Sequence, residues 1–377
     1  MGSRSRLKLW VMTSEYHPRI VGGLGIVATQ LTRKLSKTGV DVTVLCTSED
    51  GKNQLDSSRA NSKIGIIRIP KDKKYYRKSS RSFKPKPLLR LSTSTTSGPP
   101  DLIHVHSMEY AAAARAAASK FSIPLVYTCH SLASKGIHSS HGKNQTQLIR
   151  SAAKIVVPSK WQAAEIKDLY PKSSRGKISV IPNGVKSVRR RRKLKGSSHE
   201  LLYVGRLIPD KGIKSLIRAI ALLSRAHKNV HLTIVGKGKS MKSSRALTRR
   251  LGISKNIHWI SNRKNEEVLA MYSSYGAVIV PSKKESFCLV ALEAMASGVP
   301  LVSTLSGGLS EFVNAKNAQI IRSVDSKSIA KAITSMWNKP AKTKRRIKNA
   351  RLTAKRYRWR AIARQYKSLF LNMTKVI

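Results

Sequence analysis

The chain has 377 residues, 41% of them hydrophobic, and carries 73 Lys and Arg against 18 Asp and Glu for a formal net charge of +55. That length is enough for two ordinary domains, each burying its own core, and the apolar content excludes a disordered polycation. No apolar run approaches the roughly 20 residues of a spanning helix, the start "MGSRSRLKLWVM" lacks a signal-peptide pattern, and Cys46, Cys129 and Cys288 show no CxxC spacing, which argues against a disulfide framework or a zinc site.

A globular protein of the cytoplasm is expected. Its charge implies salt-sensitive attraction to a polyanion, whether nucleic acid, anionic lipid or a phosphorylated polymer. Local clusters stand at "KDKKYYRK" (71–78), "RRRRKLK" (189–195) and "KTKRRIK" (342–348). Solvated surface accounts for any one of them equally well.

In chain order, "LKLWVMTSE", "VDVTVLCT", "IGIIRIP", "DLIHVHS", "PLVYTCH", "KIVVPS" and "ISVIPNGV" read as strands separated by helix-length amphipathic segments. That alternation predicts a parallel, doubly wound sheet. Residues 71–100, rich in Lys, Ser, Thr and Pro, read as a long mobile loop. After the basic linker 186–200 the pattern restarts with "LLYVGRL", "VHLTIVG", "NIHWIS", "AVIVPS", "PLVST" and "AQIIRS", and 327–377 reads as successive helices. The expectation is two similar α/β domains with a cleft between facing carboxyl ends of strands, where this architecture binds ligands.

Motifs gather at those strand ends. Gly22, Gly23 and Gly25 form a turn at a helix start, where backbone amides and the helix dipole suit a phosphate, although a tight strand-helix connection explains them as well. Arg206 ends a strand and Lys211 follows before a helix, a fork and a point charge that suit a diphosphate. In "PSKKESFCLVALEAMASGVPLV", Glu285 is placed at the mouth of a helix "FCLVALEAMASG" and Glu293 inside it. Eight helical residues would separate them by roughly 12 Å, too far to chelate one metal ion, so they act separately. Helix-dipole and ion-pair roles compete with functional ones. His130 ends the strand "PLVYTCH", with Ser131 beside it as a candidate cap, and His104 and His106 alternate along "DLIHVH".

Together "YHPRIVGGLG", "DLIHVHS", "YTCHSL", "VVPSKW", "ISVIPNGV", "LLYVGRLIPDKG", "VGKG" and the Glu-x7-Glu stretch 281–313 resemble the retaining glycosyltransferases of family 4, which include relatives of bacterial glycogen synthase. The likeness covers nearly the whole chain. It implies the GT-B fold: two Rossmann-like doubly wound parallel-sheet domains facing a cleft, with an acceptor-side domain at 1–185 and a nucleotide-sugar domain at 186–356. It further implies that the closing helix, 357–377, packs back on the first domain.

By the same resemblance Arg206 and Lys211 hold the donor diphosphate, with Gly22 and Gly23 in the loop facing that group. Glu293 binds the ribose hydroxyls, Glu285 lies near the transferred sugar, and backbone amides of Phe287, Cys288 and Leu289 line its pocket. His130 contacts the sugar from the acceptor side, which makes His130 and Glu285 the catalytic candidates. No Asp-x-Asp motif is present and no metal or other cofactor is expected, since side-chain cations and helix termini can neutralise the leaving diphosphate. Departures from the family pattern are Lys186, Cys288 where glycine is common, and Arg360.

The expected function is therefore a retaining transfer of a hexose from a nucleotide-diphosphate sugar to a lipid, glycan or cell-envelope acceptor. UDP-sugars rank ahead of ADP-glucose as donor. Glucan elongation of the glycogen synthase kind is the alternative within the family; outside it stand a polyanion-binding or coat-associated protein on a transferase scaffold, and nucleic acid as a partner. The basic loops suggest peripheral association with an anionic membrane or polymer at the inner membrane face. Sequence leaves the oligomeric state open.

Overall fold

The computed structural model describes residues 6–48, 64–96, 98–133, 135–186, 198–227, 229–261 and 263–374. The chain divides into unit 1, Met1–Asn183 with Trp359–Ile377, and unit 2, Gly184–Arg358. The basic cluster at 189–195 lies outside the described residues.

In chain order the elements are β1 (Lys8–Thr13), α1 (Gly23–Ser36), β2 (Asp41–Ser48), β3 (Ile64–Pro70), β4 (Tyr76–Arg77), β5 (Ser82–Phe83), α2 (Pro85–Thr95), β6 (Leu102–Val105), α3 (Ala111–Phe121) and β7 (Leu125–Thr128). Then come α4 (Ser140–Ser151), β8 (Lys154–Val157), α5 (Lys160–Leu169), α6 (Pro171–Ser174) and β9 (Ile178–Val180). Unit 2 supplies β10 (Glu200–Val204), α7 (Ile213–Ala226), β11 (His231–Val235), α8 (Met241–Arg250), β12 (Ile257–Ile260), α9 (Asn265–Met271), β13 (Ala277–Val280), α10 (Leu289–Ser297), β14 (Leu301–Ser303), β15 (Gln319–Ile320), α11 (Ser326–Trp337) and α12 (Pro340–Arg356). The chain ends with α13 (Trp359–Thr374) in unit 1.

Every expected strand forms, and both main sheets are parallel throughout. Unit 1 has the order β3-β2-β1-β6-β7-β8-β9 and unit 2 the order β12-β11-β10-β13-β14-β15. In each sheet the winding reverses beside the first strand, between β1 and β6 and between β10 and β13. Those reversals leave crevices at the carboxyl ends of the strands, where this topology binds ligands.

Unit 2 shows how the sequence produces the layers. Leu201 and Tyr203 of β10 face one core with Ile213, Leu216 and Ile220 of α7 and Ile329 and Ile333 of α11. Leu202, one residue on, faces the other core with Leu292 and Met295 of α10 and Ala350 and Ala354 of α12. Successive side chains of a strand point to opposite faces, so an apolar run with helices on both sides is buried on both. In unit 1, α13 packs against α1, the Tyr366 hydroxyl lies 3.2 Å from Thr128 Oγ1, and Phe370 is fully buried.

Residues 71–100 correct the sequence reading, because they are not a loop. The hairpin β4–β5 and helix α2 fill much of the stretch. Tyr75, Tyr76, Phe83, Leu88 and Leu89 are buried in the unit 1 core, and Phe83 stacks on Tyr110 with ring centroids 4.4 Å apart. Pro85 starts α2 at a position where its missing N–H costs nothing. The Lys and Ser density hid a sparse but sufficient set of apolar anchors. The three closing helices form as expected, and α12 carries the cluster 342–348 with Lys342, Lys344, Arg345 and Lys348 exposed.

Candidate active site

At the reversal in unit 2, Arg206 stands two residues beyond the end of β10, and its side chain is exposed with no hydrogen bond or ion pair among the described residues. Lys211 sits in the 3-10 turn Pro209–Lys211. Gly212 ends that turn at φ +68, and a Cβ there would stand 2.0 Å from the Pro281 carbonyl oxygen, so only glycine lets the turn press against the strand end. Lys283 N–H donates to the Asp210 carbonyl at 2.7 Å and fixes the same contact. As a result Lys211 Nζ lies 2.6 Å from Glu285 Oε1, both side chains being largely buried, and Ser282 Oγ donates to the same oxygen at 2.8 Å.

Two details differ from expectation. Helix α10 begins only at Leu289, so Glu285 stands four residues ahead of it and cannot complement its dipole. Its carboxylate is held by Lys211 and Ser282 instead, and its carbonyl accepts from Gly308 N–H at 2.9 Å. Cys288 precedes the helix at φ +81, the left-handed region that favours glycine. Burial pushes its thiol well above the ordinary range, so it is a neutral thiol. The Phe287, Cys288 and Leu289 amides lie at the α10 N-terminus, where the first N–H groups have no intrahelical partner.

Glu293 is only 6% exposed. It accepts from the Tyr272 hydroxyl at 3.0 Å and from Asn265 Nδ2 at 3.4 Å. Burial raises its pKa to about 7 against those two hydrogen bonds and the pull of Lys186. Tyr272 and Asn265 were missed in the sequence. They lie 21 and 28 residues from Glu293, and nothing local marks them. At the other end of α10, Gly298 at φ +74 leaves room for the Arg351 guanidinium, which a Cβ would meet at 2.1 Å.

Unit 1 holds the remaining candidates. Gly22 caps α1, Gly23 is its first residue and Gly25 lies in the first turn. At Gly25 a Cβ would lie 2.8 Å from Glu15, whereas at Gly22 it would meet nothing within 4 Å. Glu15 Oε2 accepts the Val21 and Gly22 amides at 2.9 and 2.8 Å, so the protein's own carboxylate takes the donors that a phosphate would use. Glu15 was not singled out in the sequence.

His130 Nε2 lies 2.9 Å from His106 Nδ1, while His104 Nε2 lies 2.7 Å from Thr128 Oγ1. Burial lowers His104 to about 3 and His130 to about 4, and His106 falls well below its usual value, so all three rings are neutral near pH 7. Ser131 caps no helix; α4 is capped by Ser139, whose Oγ accepts from Gly142 N–H. Among the described residues no group of three or more His, Cys, Asp or Glu is placed to hold a metal ion.

The two halves match two family profiles, glycosyltransferase family 4 over residues 21–189 and glycosyl transferases group 1 over residues 185–353. A D-inositol 3-phosphate glycosyltransferase of Corynebacterium efficiens is 30% identical over 73% of this chain and 72% of that protein. The chain is a group-1, family 4 glycosyltransferase. Glycogen synthase of Mycobacterium tuberculosis is 29% identical to the transferase over 97% of this chain and 94% of that protein. Its GT-B fold is shared with sucrose-phosphate synthase of Thermosynechococcus elongatus, at a TM-score of 0.81, 21% identity and coverage of 99% of this chain and 100% of that one. HepE of Anabaena, solved with UDP and glucose, matches at 0.77, 18% identity and 97% and 100% coverage. The catalytic domain of starch synthase IV from Arabidopsis thaliana, bound to ADP and acarbose, matches at 0.74, 17% identity and 98% and 100% coverage.

Proposed function

We propose that the transferase moves a hexose, with retention of anomeric configuration, from a nucleotide-diphosphate sugar to a glycan or a lipid- or envelope-borne acceptor. The observation that carries this reading is the set at the unit 2 reversal: exposed Arg206, the Lys211–Glu285 pair and buried Glu293. Cations there compensate the charge that develops on a leaving diphosphate. Glu293, already accepting from Tyr272 and Asn265, is a hydroxyl acceptor of the kind a ribose requires. Glu285, held between Lys211 and Ser282, serves the transferred sugar, and the α10 amides of Phe287, Cys288 and Leu289 receive its hydroxyls. His130, neutral and anchored on His106, takes the acceptor side.

UDP-sugars are the first donors to try, in keeping with the UDP found in HepE, and ADP-glucose the second, in keeping with the ADP in starch synthase IV. No metal or other cofactor enters this scheme. Thermal stabilisation and nucleoside diphosphate release with each donor test it, and no response to any nucleotide sugar rejects it. Glucan elongation is a second reading, favoured by the near full-length likeness to glycogen synthase. It predicts that maltooligosaccharides accelerate donor consumption.

The basic surface then has a separate task, holding the enzyme at an anionic membrane or polymer that carries acceptor. Among the described residues no helix is long and apolar enough to cross a membrane. Lys73, Lys74, Arg77 and Lys78 around the β4–β5 hairpin, together with the exposed cations of α12, are available for such contact. Nucleic acid is the competing polyanion.

A further inference from the structure

A connected run of polar side chains crosses β6 and β7 in the middle of the unit 1 sheet. His104 lies in β6 and His106 just after it on the same face, Thr128 ends β7, and His130 stands two residues beyond. His104 is fully buried and His106 is 2% exposed, while His130 is partly exposed. His106 Nδ1 lies 2.9 Å from His130 Nε2, with the ring planes 20° apart. Deeper in, His104 Nε2 lies 2.7 Å from Thr128 Oγ1, which is 3.2 Å from the Tyr366 hydroxyl of α13. The His104 and His106 rings lie against each other with centroids 4.2 Å apart, and Tyr366 and Phe370 stand 5.5 and 5.2 Å from His104.

Each of these contacts leaves one ring nitrogen over. His104 Nδ1 and His106 Nε2 are buried with no hydrogen-bond partner among the described residues. A neutral imidazole has one N–H and one bare nitrogen, and burial keeps all three rings neutral near pH 7. The contact between His106 and His130 can therefore form in two ways. If His130 Nε2–H donates, His106 must carry its proton on Nε2, where a buried N–H meets no acceptor. If His106 Nδ1–H donates, the unpaired buried atom is only a bare nitrogen, and His130 keeps its proton on Nδ1. An orphaned buried N–H is the rarer and costlier defect, which selects the second arrangement. The same reasoning puts the His104 proton on Nε2, donating to Thr128 Oγ1.

We infer that His106 is a positioning residue for His130: by donating from Nδ1 to His130 Nε2 it fixes His130 as the Nδ1–H tautomer, so that His130 offers the substrate a hydrogen-bond donor and not a base. The inference rests on the acceptor-side placement of His130 proposed above. His130 is the ring of the three that is partly exposed, and its Nδ1 makes no hydrogen bond among the described residues, so this N–H is what the run leaves for a ligand. A sugar oxygen accepts such a bond. With Nε2 occupied by the His106 N–H, His130 has no lone pair free to take a proton from an acceptor hydroxyl, and its task is to orient the sugar.

Selective 15N labelling of histidine in the full chain, read in two-bond 1H–15N spectra near pH 7, assigns the tautomers without any substrate. Spectra of His106→Leu and His130→Gln identify the signals. Wild type should show His106 and His130 both protonated on Nδ1 and bare on Nε2. His106→Leu should let the Nε2–H form of His130 appear and lower kcat for nucleoside diphosphate release from UDP-glucose or ADP-glucose at least about tenfold, with nucleoside diphosphate affinity held within about twofold. His106→Asn, whose amide nitrogen can stand where Nδ1 stands, should restore the Nδ1–H signature and most of kcat; a merely structural histidine would not tie rescue to the tautomer. The inference is overturned if wild-type His130 is protonated on Nε2, a result that needs no variant to fold, or if a folded His106→Leu keeps kcat within about twofold of wild type. Absence of release from either donor by wild type rejects the transferase reading, while the spectrum still decides the tautomer.

Discussion

Glu293→Gln should make unit 2 more stable above neutral pH while impairing the donor site. The carboxyl is 6% exposed, and burial lifts its pKa from the usual 4.5 to about 7. The folded state therefore binds this proton more tightly than the unfolded chain does. Its stability is undiminished below pH 4.5, falls as pH rises from 4.5 to 7, and carries the full cost of a buried ionised carboxyl above 7. That interval is worth about 3 kcal/mol, at about 1.36 kcal/mol per pH unit.

Glutamine has nearly the same shape, keeps an acceptor for the Tyr272 hydroxyl and cannot ionise. Denaturant midpoints followed by a unit 2 probe such as Trp259 should coincide for wild type and variant near pH 4.5. At pH 8 they should separate in favour of the variant by up to about 3 kcal/mol. Donor affinity should move the other way. In wild type it should fall about tenfold per pH unit below 7 as the ribose acceptor becomes protonated, and in the variant it should be weak and flat with pH. A variant no more stable than wild type at pH 8, with unchanged nucleoside diphosphate affinity, would refute both the burial argument and the ribose role.

Other expectations follow from the same geometry. Arg206→Ala and Lys211→Ala should each weaken nucleoside diphosphate binding by about 1.5–3 kcal/mol in calorimetry, and Lys211→Ala should also destabilise unit 2 because it strands Glu285; unchanged affinity in both variants rejects the diphosphate assignment. Cys288→Gly should stabilise unit 2 by about 1 kcal/mol, since φ +81 costs a non-glycine residue strain, with donor hydrolysis retained. A lower melting temperature would show that thiol packing outweighs the strain. Binding to anionic vesicles should be strong at low salt and fall steeply by 0.5 M, at about 1 kcal/mol per surface cation before screening, while donor hydrolysis changes far less; tight binding to nucleic acid with none to vesicles would reverse the choice of polyanion.

The sheets could be read in advance because parallel strands buried on both faces are continuous β-branched runs, as in "AVIVPS" and "VHLTIVG", and the signal survives any surface charge between them. The hairpin and α2 could not, because their burial rests on five residues, Tyr75, Tyr76, Phe83, Leu88 and Leu89, set among lysines and serines that dominate any window average. The residues proposed to hold the donor stand out as motifs because strand end, turn and helix start lie within a few positions of one another along the chain. Their partners do not, since Tyr272 and Asn265 reach Glu293 only through the packing of a neighbouring element.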